Sequence, residues 1–389
     1  MATLDPARRL RIAFVVDRFG NRYGGAEAYG VELMRELAAR HDITVFAREY
    51  DPACDLKLPF VKIALPRGLP SWLRVLWFAI RVRRATRDRF DIVHSHTNGF
   101  CGDIEVVHVT PVRYNWRVRW RPLLKHITSW VSPRVQTYLR LENARLRPRR
   151  GHYVVGVSGL IAEQLYEAYG REREFPVIPP GVQRPSPSDG ARRIEVRARF
   201  QYAADDWVCL LVARNPLRKG LPTVLKALAG LPARYKLLVV GANAAARDYV
   251  QKCPERAELE GRVNLVDETS DVGPYYLAAD VYVHPTLNDS FGMAPLEAMS
   301  YDLPVVLSPA PWCGFAQYVQ PNTEALVISH PEAHDELGAA IERIATRPQL
   351  AETLRAGGSN VVDRHSWPEV ARRYEALYAE SLAQRAIAP

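Results

Sequence analysis

Residues 288–299, Asn-Asp-Ser-Phe-Gly-Met-Ala-Pro-Leu-Glu-Ala-Met, constrain this chain more than any other stretch. They follow the apolar run Val281-Tyr282-Val283, which reads as a buried parallel strand, and they contain Pro295, where a helix can begin because proline lacks only an N–H that has no partner there. The pattern is therefore strand, loop, helix start. The backbone amides around Phe291, Gly292, Met293 and Ala294 then suit an anion. Asp289 stands before the helix and Glu297 within its first turns, and carboxylates suit hydroxyl groups. The plainer alternative is an ordinary strand-to-helix turn with solvated acids, and the rest of the chain has to decide between the two.

A chain of 389 residues is long enough for two domains, each with its own core. Cysteines 54, 101, 209, 253 and 313 are far apart and lack metal-ligand spacing, which predicts reduced thiols and no structural zinc. The first apolar run, residues 12–16, is too short for a signal or a membrane span and reads as a strand, so a cytoplasmic protein is expected. A net charge of +9 predicts anionic partners without choosing among nucleic acid, lipid head groups and phosphorylated sugars.

Taken in order, residues 11–16 lead through a loop to Gly24-Gly25 and then to a helical pattern over 26–40 carried by Val31, Met34, Leu37 and Ala38. Glycines at this point bring backbone close to a ligand at a helix N-terminus, or simply make a tight turn. Their spacing is not G-x-G-x-x-G, so a dinucleotide dehydrogenase is not supported. Residues 71–89 alternate Trp-bearing apolar positions with arginines at helical spacing, which suits a core helix ahead of a membrane-surface one. The strand 91–96 ends in His94-Ser95-His96, more in keeping with ligand-edge or packing residues than with a metal site. Asp103 and His108 flank the next apolar run. Either can take the proton of a substrate hydroxyl or hold it by hydrogen bonds, and His108 equally suits a satisfied core histidine.

Residues 113–150 are unlike their surroundings. Arg113, Trp116, Arg117, Arg119, Trp120 and Arg121 open a segment rich in arginine and aromatics whose one acid is Glu142. Such a face fits an anionic membrane surface, and it also fits RNA phosphates and bases. No nucleic-acid module accompanies it, so a nucleic-acid partner is not expected and a membrane or a phosphorylated substrate remains. Residues 184–190, Arg-Pro-Ser-Pro-Ser-Asp-Gly, read as a linker. Beyond it a strand over 207–213 ends in Arg214-Asn215-Pro216-Leu217-Arg218-Lys219-Gly220. Cations at a strand end beside a helix N-terminus suit a diphosphate; a basic surface loop is the alternative.

The spacing of Asp289 and Glu297 resembles the acidic-x7-acidic signature of retaining glycosyltransferases of the GT-B fold. Gly24-Gly25-Ala26-Glu27, the turn Pro179-Pro180-Gly181-Val182 and the order of elements after residue 190 carry the same resemblance. Arg218-Lys219-Gly220 and Cys313-Gly314-Phe315-Ala316-Gln317-Tyr318 narrow it toward the lipopolysaccharide core heptose glucosyltransferases. The resemblance implies an α/β chain of two facing Rossmann-like domains with a cleft between them. It implies an acceptor-binding domain over 1–183 with the basic aromatic segment 113–150, a nucleotide-sugar domain over 184–365, and a helix over 366–389 crossing back to the first.

The implied activity is retaining transfer of a hexose, glucose in this reading, from a UDP-sugar to a phosphorylated or lipid-linked glycan such as the lipopolysaccharide inner-core heptose. No cofactor or bound metal is implied. Asp289, a methylene shorter than the usual Glu, would touch the sugar and Glu297 the ribose. Arg214 and Lys219 would bind the phosphates, Asp267 would lie by the base, and Gly24, Gly25, Phe291, Gly292 and Met293 would complete the donor site. Asp103 and His108 remain on the acceptor side. The implied location is peripheral, at the cytoplasmic face of an inner membrane. The competing classes are a GT-B-fold UDP-sugar epimerase and a non-catalytic membrane-bound component of a glycan assembly complex.

Overall fold

The computed structural model describes residues 8–66, 68–119, 123–186, 190–269 and 271–386, the side chains of 123–126 excepted. The chain forms two units, Met1–Gly181 with Trp367–Pro389, and Val182–Ser366. Unit 1 holds strands β1 (Arg11–Val15), β2 (Asp42–Ala47), β3 (Phe60–Lys62), β4 (Ile92–Ser95), β5 (Ile104–Val107) and β6 (Tyr153–Gly156). All pair in parallel, in the order β3-β2-β1-β4-β5-β6. Strands β4 and β5 are buried along their whole length, and with their apolar residues they bury His94, Ser95 and Glu105.

Helices α1 (Gly25–Ala38), α2 (Ser71–Thr86), α3 (Leu123–Val131), α4 (Pro133–Arg145) and α5 (Gly159–Tyr169) make up the rest of unit 1 before its return segment. Ser132 and Ser158 cap α4 and α5 by accepting from the Val135 and Ile161 amides, each satisfying a donor that the helix itself leaves unpaired. The basic segment opens as a wide π-helical turn, Tyr114–Val118. Its lone acid explains how it is anchored: Glu142 accepts from the Val112 and Arg113 amides and from the Tyr169 hydroxyl.

Unit 2 repeats the plan. Its helices are α6 (Ala191–Arg199), α7 (Leu221–Ala229), α8 (Ala244–Lys252), α9 (Gly273–Ala278), α10 (Met293–Ser300), α11 (His334–Thr346) and α12 (Pro348–Arg364). They alternate with β7 (Trp207–Val212), β8 (Tyr235–Val240), β9 (Val263–Val266), β10 (Val281–His284), β11 (Val305–Leu307) and β12 (Leu326–Val327), in the order β9-β8-β7-β10-β11-β12. Helix α10 starts two residues ahead of Pro295, which is tolerated because the first four amides of a helix have no intrahelical partner.

The last helix, α13 (Trp367–Ala386), belongs to unit 1, where Trp367, Val370, Ala371, Tyr374 and Tyr378 share one core with β1 and α1. Each fully buried side chain of this kind contributes about 1.5–3 kcal/mol, so this helix is integral to the unit. Both units are α/β sheets whose strand order reverses once, between β1 and β4 and between β7 and β10. Ligands of such sheets bind beyond the carboxyl ends of the strands at that reversal. Among the described residues, no helix is long and apolar enough to cross a membrane.

Candidate active site

In unit 2 the loops after β7 and β10 meet at the reversal. Gly220 makes this possible: its φ is +93°, and a Cβ there would stand 2.0 Å from the Pro285 carbonyl oxygen. The two loops are further tied by the Leu287 amide donating to Arg218 O at 3.0 Å. Lys219 is thereby carried onto the β10 loop, where its Nζ donates to Asp289 Oδ2 at 2.5 Å and to Asn288 O at 3.3 Å. The same carboxylate oxygen lies 3.0 Å from His284 Nε2. Backbone bonds from Asp289 N to Trp312 O and from Gly314 N to Asp289 O, 2.7 and 3.0 Å, hold the acid on both sides.

Burial pushes the Asp289 carboxyl up, but the His284 hydrogen bond and the Lys219 charge outweigh it and hold the group well below the usual carboxylate range. His284 is 1% exposed, and burial lowers its pKa against the opposing pull of Asp289. A neutral His284 therefore donates through Nε2 to an ionised Asp289. This histidine was not among the expected site residues. Its one signal in the sequence is a polar residue closing an apolar strand at the ligand-binding edge.

Glu297 takes a hydrogen bond from the Tyr276 hydroxyl at 3.0 Å, and burial raises its pKa despite that bond. Arg214 is paired with Glu268 at 2.9 Å and Asp267 with Arg247 at 2.7 Å, both at the carboxyl edge of the sheet. These pairs are exposed and worth at most about 1 kcal/mol, so either yields readily to a charged ligand. Phe291 is buried against Phe315 and Tyr318, which leaves its backbone, with those of Gly292 and Met293, as the part able to meet an anion. Gly292, at φ +101°, caps α10 at that point.

At the reversal of unit 1, a cavity of about 610 Å³ is lined by Arg18, Arg48, Arg74 and Arg145, by His96 and His108, and by Asp17 as its one acid. Arg48 grips both oxygens of Asp17. Arg145 is buried against Glu105 at 3.3 Å, donates to Asn98 Oδ1 at 3.0 Å and reaches Val106 O. Gly24, the N-cap of α1, and Gly25, its first residue, precede Ala26 in the cavity wall. They therefore lie in unit 1, apart in the chain from the other donor candidates, all in unit 2.

Asp103 and His108 are not brought together. Asp103 precedes β5, donating its amide to Val93 O and accepting from the Val93 amide at 2.7 Å and from Arg385 at 3.3 Å, whereas His108 follows the carboxyl end of that strand. A carboxylate committed to strand and helix contacts at the amino end of β5 is not placed to act on a ligand at the other end. His94 and His96 sit on one face, as residues two apart in a strand do, and their Nε2 atoms are 3.0 Å apart.

Of the basic aromatic residues, Arg113 stacks over Tyr169 and Arg117 over Trp130, Trp116 is half-buried and Arg119 exposed. Trp120 and Arg121 lie outside the described residues. Among the described residues no cluster of three or more His, Cys, Asp or Glu is arranged to hold a metal ion.

Comparison with known families agrees with this geometry. The model described as Glycosyl transferases group 1 matches residues 193–361, and that of Glycosyltransferase Family 4 matches residues 23–184. The chain is a GT-B-fold glycosyltransferase. Its relatives include a D-inositol 3-phosphate glycosyltransferase of Xylanimonas cellulosilytica, 27% identical over 93% of this chain and 93% of that protein. The lipopolysaccharide glucosyltransferase WaaG of Escherichia coli is 22% identical over 90% of this chain and 91% of its own.

Among solved structures, a crystal structure of WaaG superposes with a TM-score of 0.78 at 18% identity, covering 94% of this chain and 99% of that one. Anabaena Alr3699/HepE, solved in complex with UDP and glucose, gives 0.71 at 18% identity, covering 95% and 99%. The Lys219–Asp289–His284 arrangement lies within the stretch matched by the first family model, and the arginine-lined cavity is built mainly from the stretch matched by the second.

Proposed function

We propose that this glycosyltransferase moves a hexose, glucose in our reading, from a UDP-sugar to a phosphorylated or lipid-linked glycan, with retention at the anomeric carbon. Unit 2 holds the donor and unit 1 the acceptor. The observation that carries the proposal is the ion pair of Lys219 with Asp289 at the strand-order reversal of unit 2. It sets a cation for the diphosphate beside a carboxylate for the sugar hydroxyls. HepE, crystallised with UDP and glucose, and WaaG, a lipopolysaccharide glucosyltransferase, support that choice of donor and sugar.

In the transfer, the bond from C1 to the β-phosphate oxygen breaks and a bond from C1 to the acceptor oxygen forms on the same face. The acceptor proton passes to the departing phosphate. Lys219, Arg214 and the amides at Gly292 and Met293 stabilise the charge that develops on that phosphate. Asp289 orients the sugar, Glu297 accepts from the ribose hydroxyls, and Asp267 lies by the base. His108 and the arginines of the unit 1 cavity receive the acceptor.

The inner-core heptose of lipopolysaccharide is the acceptor we favour, because unit 1 also exposes Ile127, Trp130 and Val131 beside Arg117 and Arg119. Exposed apolar groups among arginines suit the head-group layer of an anionic membrane, which supports a peripheral location, in our reading at the cytoplasmic face of an inner membrane. The names of the inositol phosphate relatives favour a second reading, a small phosphorylated polyol in the same cavity.

UDP release from a panel of UDP- and GDP-sugars, with mass analysis of heptose-terminated core and of inositol phosphate as acceptors, separates these readings. Hexose addition to the core from UDP-glucose is the expected result. Addition to inositol phosphate alone selects the second reading, and isomerisation of the donor without an acceptor contradicts both.

A further inference from the structure

A row of hydrogen bonds runs through the core of unit 1 from its last helix to the cavity. The Tyr378 hydroxyl lies 2.5 Å from His94 Nδ1, His94 Nε2 lies 3.0 Å from His96 Nε2, and His96 Nδ1 lies 3.1 Å from His108 Nε2. Tyr374 and Phe14 pack their rings on the histidines from either side. Burial holds all three imidazoles neutral, His94 and His108 pushed down to about 3 and His96 well below its ordinary value.

A neutral imidazole has one N–H and one lone pair. Three of them in a row therefore point their protons in one of two directions, and the choice at one end dictates the other. Tyr378 makes the choice. It is fully buried, and among the described residues its hydroxyl has one hydrogen-bonding partner, His94 Nδ1. If that nitrogen carried a proton, the phenolic hydrogen would be left in the core without an acceptor, and an unmade bond of this kind costs more than a made one returns. With the phenol donating, His94 is protonated on Nε2 and donates to His96 Nε2. His96 is then protonated on Nδ1 and donates to His108 Nε2.

We propose that Tyr378 is a positioning residue that fixes the tautomers of this row, so that His108 carries its proton on Nδ1 and serves the cavity as a hydrogen-bond donor. His108 is thereby excluded as the base that deprotonates the acceptor. Its role joins that of Arg18, Arg48, Arg74 and Arg145, all donors, in a cavity suited to the oxygens of a phosphorylated or polyhydroxylated ligand. This consequence rests on reading the cavity as the acceptor site; the tautomer assignment does not.

The test is a long-range proton–nitrogen correlation spectrum of the full chain labelled with 15N-histidine, with His108 assigned from a His108→Asn variant. Protonation of His108 on Nδ1, His96 on Nδ1 and His94 on Nε2 is the expected result, and His108 protonated on Nε2 overturns the proposal. Tyr378→Phe should leave His108 as a mixture of tautomers and lower kcat/KM by about tenfold, through one lost buried hydrogen bond. Tyr374→Phe, whose hydroxyl bonds Tyr29 outside the row, should leave the tautomers as they are. An unchanged His108 tautomer in Tyr378→Phe also contradicts the proposal. If Tyr378→Phe does not fold, the spectrum of the unmodified chain still decides. Because that spectrum needs no substrate, its failure is distinct from a failure to add hexose to the proposed acceptors.

Discussion

The two units share one strand order, yet their reversals are furnished in opposite ways. In unit 2 the reversal holds a compact set of opposite charges, Lys219 against Asp289, with a buried neutral histidine behind the acid. In unit 1 it holds a row of neutral imidazoles beside arginines, one of which is fastened to an acid in the wall and another to an acid buried below it. The topology supplies a place to bind, and the side chains decide what is bound there. A charge-balanced pair that can exchange partners suits a diphosphate that must leave, whereas a donor-rich cavity suits a ligand that must be oriented.

Substitutions in one unit should therefore leave the function of the other intact. The largest effect is expected from Lys219→Ala, which should lower turnover about 10²- to 10³-fold and also lower the melting temperature, since Asp289 loses its cation, while the chain still folds, as steady-state kinetics and calorimetry would show. Retention of near-normal turnover removes Lys219 from the mechanism.

Glu297→Gln should cost about tenfold in kcat/KM and yet stabilise the fold at neutral pH. Burial raises the carboxyl above its unfolded value, so its charge opposes folding increasingly as pH climbs from about 4.3 through the folded pKa. Denaturation of the two forms should therefore coincide near pH 4 and separate above it, and a variant less stable at pH 7 contradicts the reading. Asp289 has the opposite sign. Its depressed pKa gives stability that is present above about 3.9 and lost as pH falls through the lower folded value, a slope that Asp289→Asn should abolish.

Arg74→Ala, in the wall of the unit 1 cavity, should raise the acceptor KM about five- to tenfold and leave the donor KM alone. The smallest effect is expected from Trp130→Ala, a fewfold weaker sedimentation with anionic vesicles, about 1 kcal/mol or less, with no change toward a soluble acceptor. Loss of activity toward soluble acceptors would assign Trp130 to the acceptor site instead.

The α/β class was legible because buried parallel strands read as apolar runs between helical patterns, as at residues 12–16 and 281–283. The order of the strands was not, since register and neighbour are set by tertiary packing. Lys219, Asp289 and Glu297 stood out because glycine and proline punctuate the loops that carry them. His284 did not, because a histidine closing an apolar strand looks like one more core residue until its neighbour across the loop is known.

The placement of Asp103 turns on a sign that the sequence does contain. It precedes its strand, and in a parallel sheet the ligand edge lies where strands end. The contact of His96 with His108 depends on β4 lying beside β5, and that of His94 with Tyr378 on a helix 284 residues away packing against the same sheet. Neither is visible from spacing.

The central claim is that unit 2 binds the donor through Lys219 at its strand-order reversal while the arginines of unit 1 serve the acceptor. Calorimetric titration of UDP into the unmodified chain, Lys219→Ala and Arg74→Ala tests it most directly. Clear binding to the first and third with similar affinity is expected, and a loss of at least about tenfold in the second, as removal of a charge-assisted contact implies. Equal UDP affinity in all three, or a loss confined to Arg74→Ala, would contradict it.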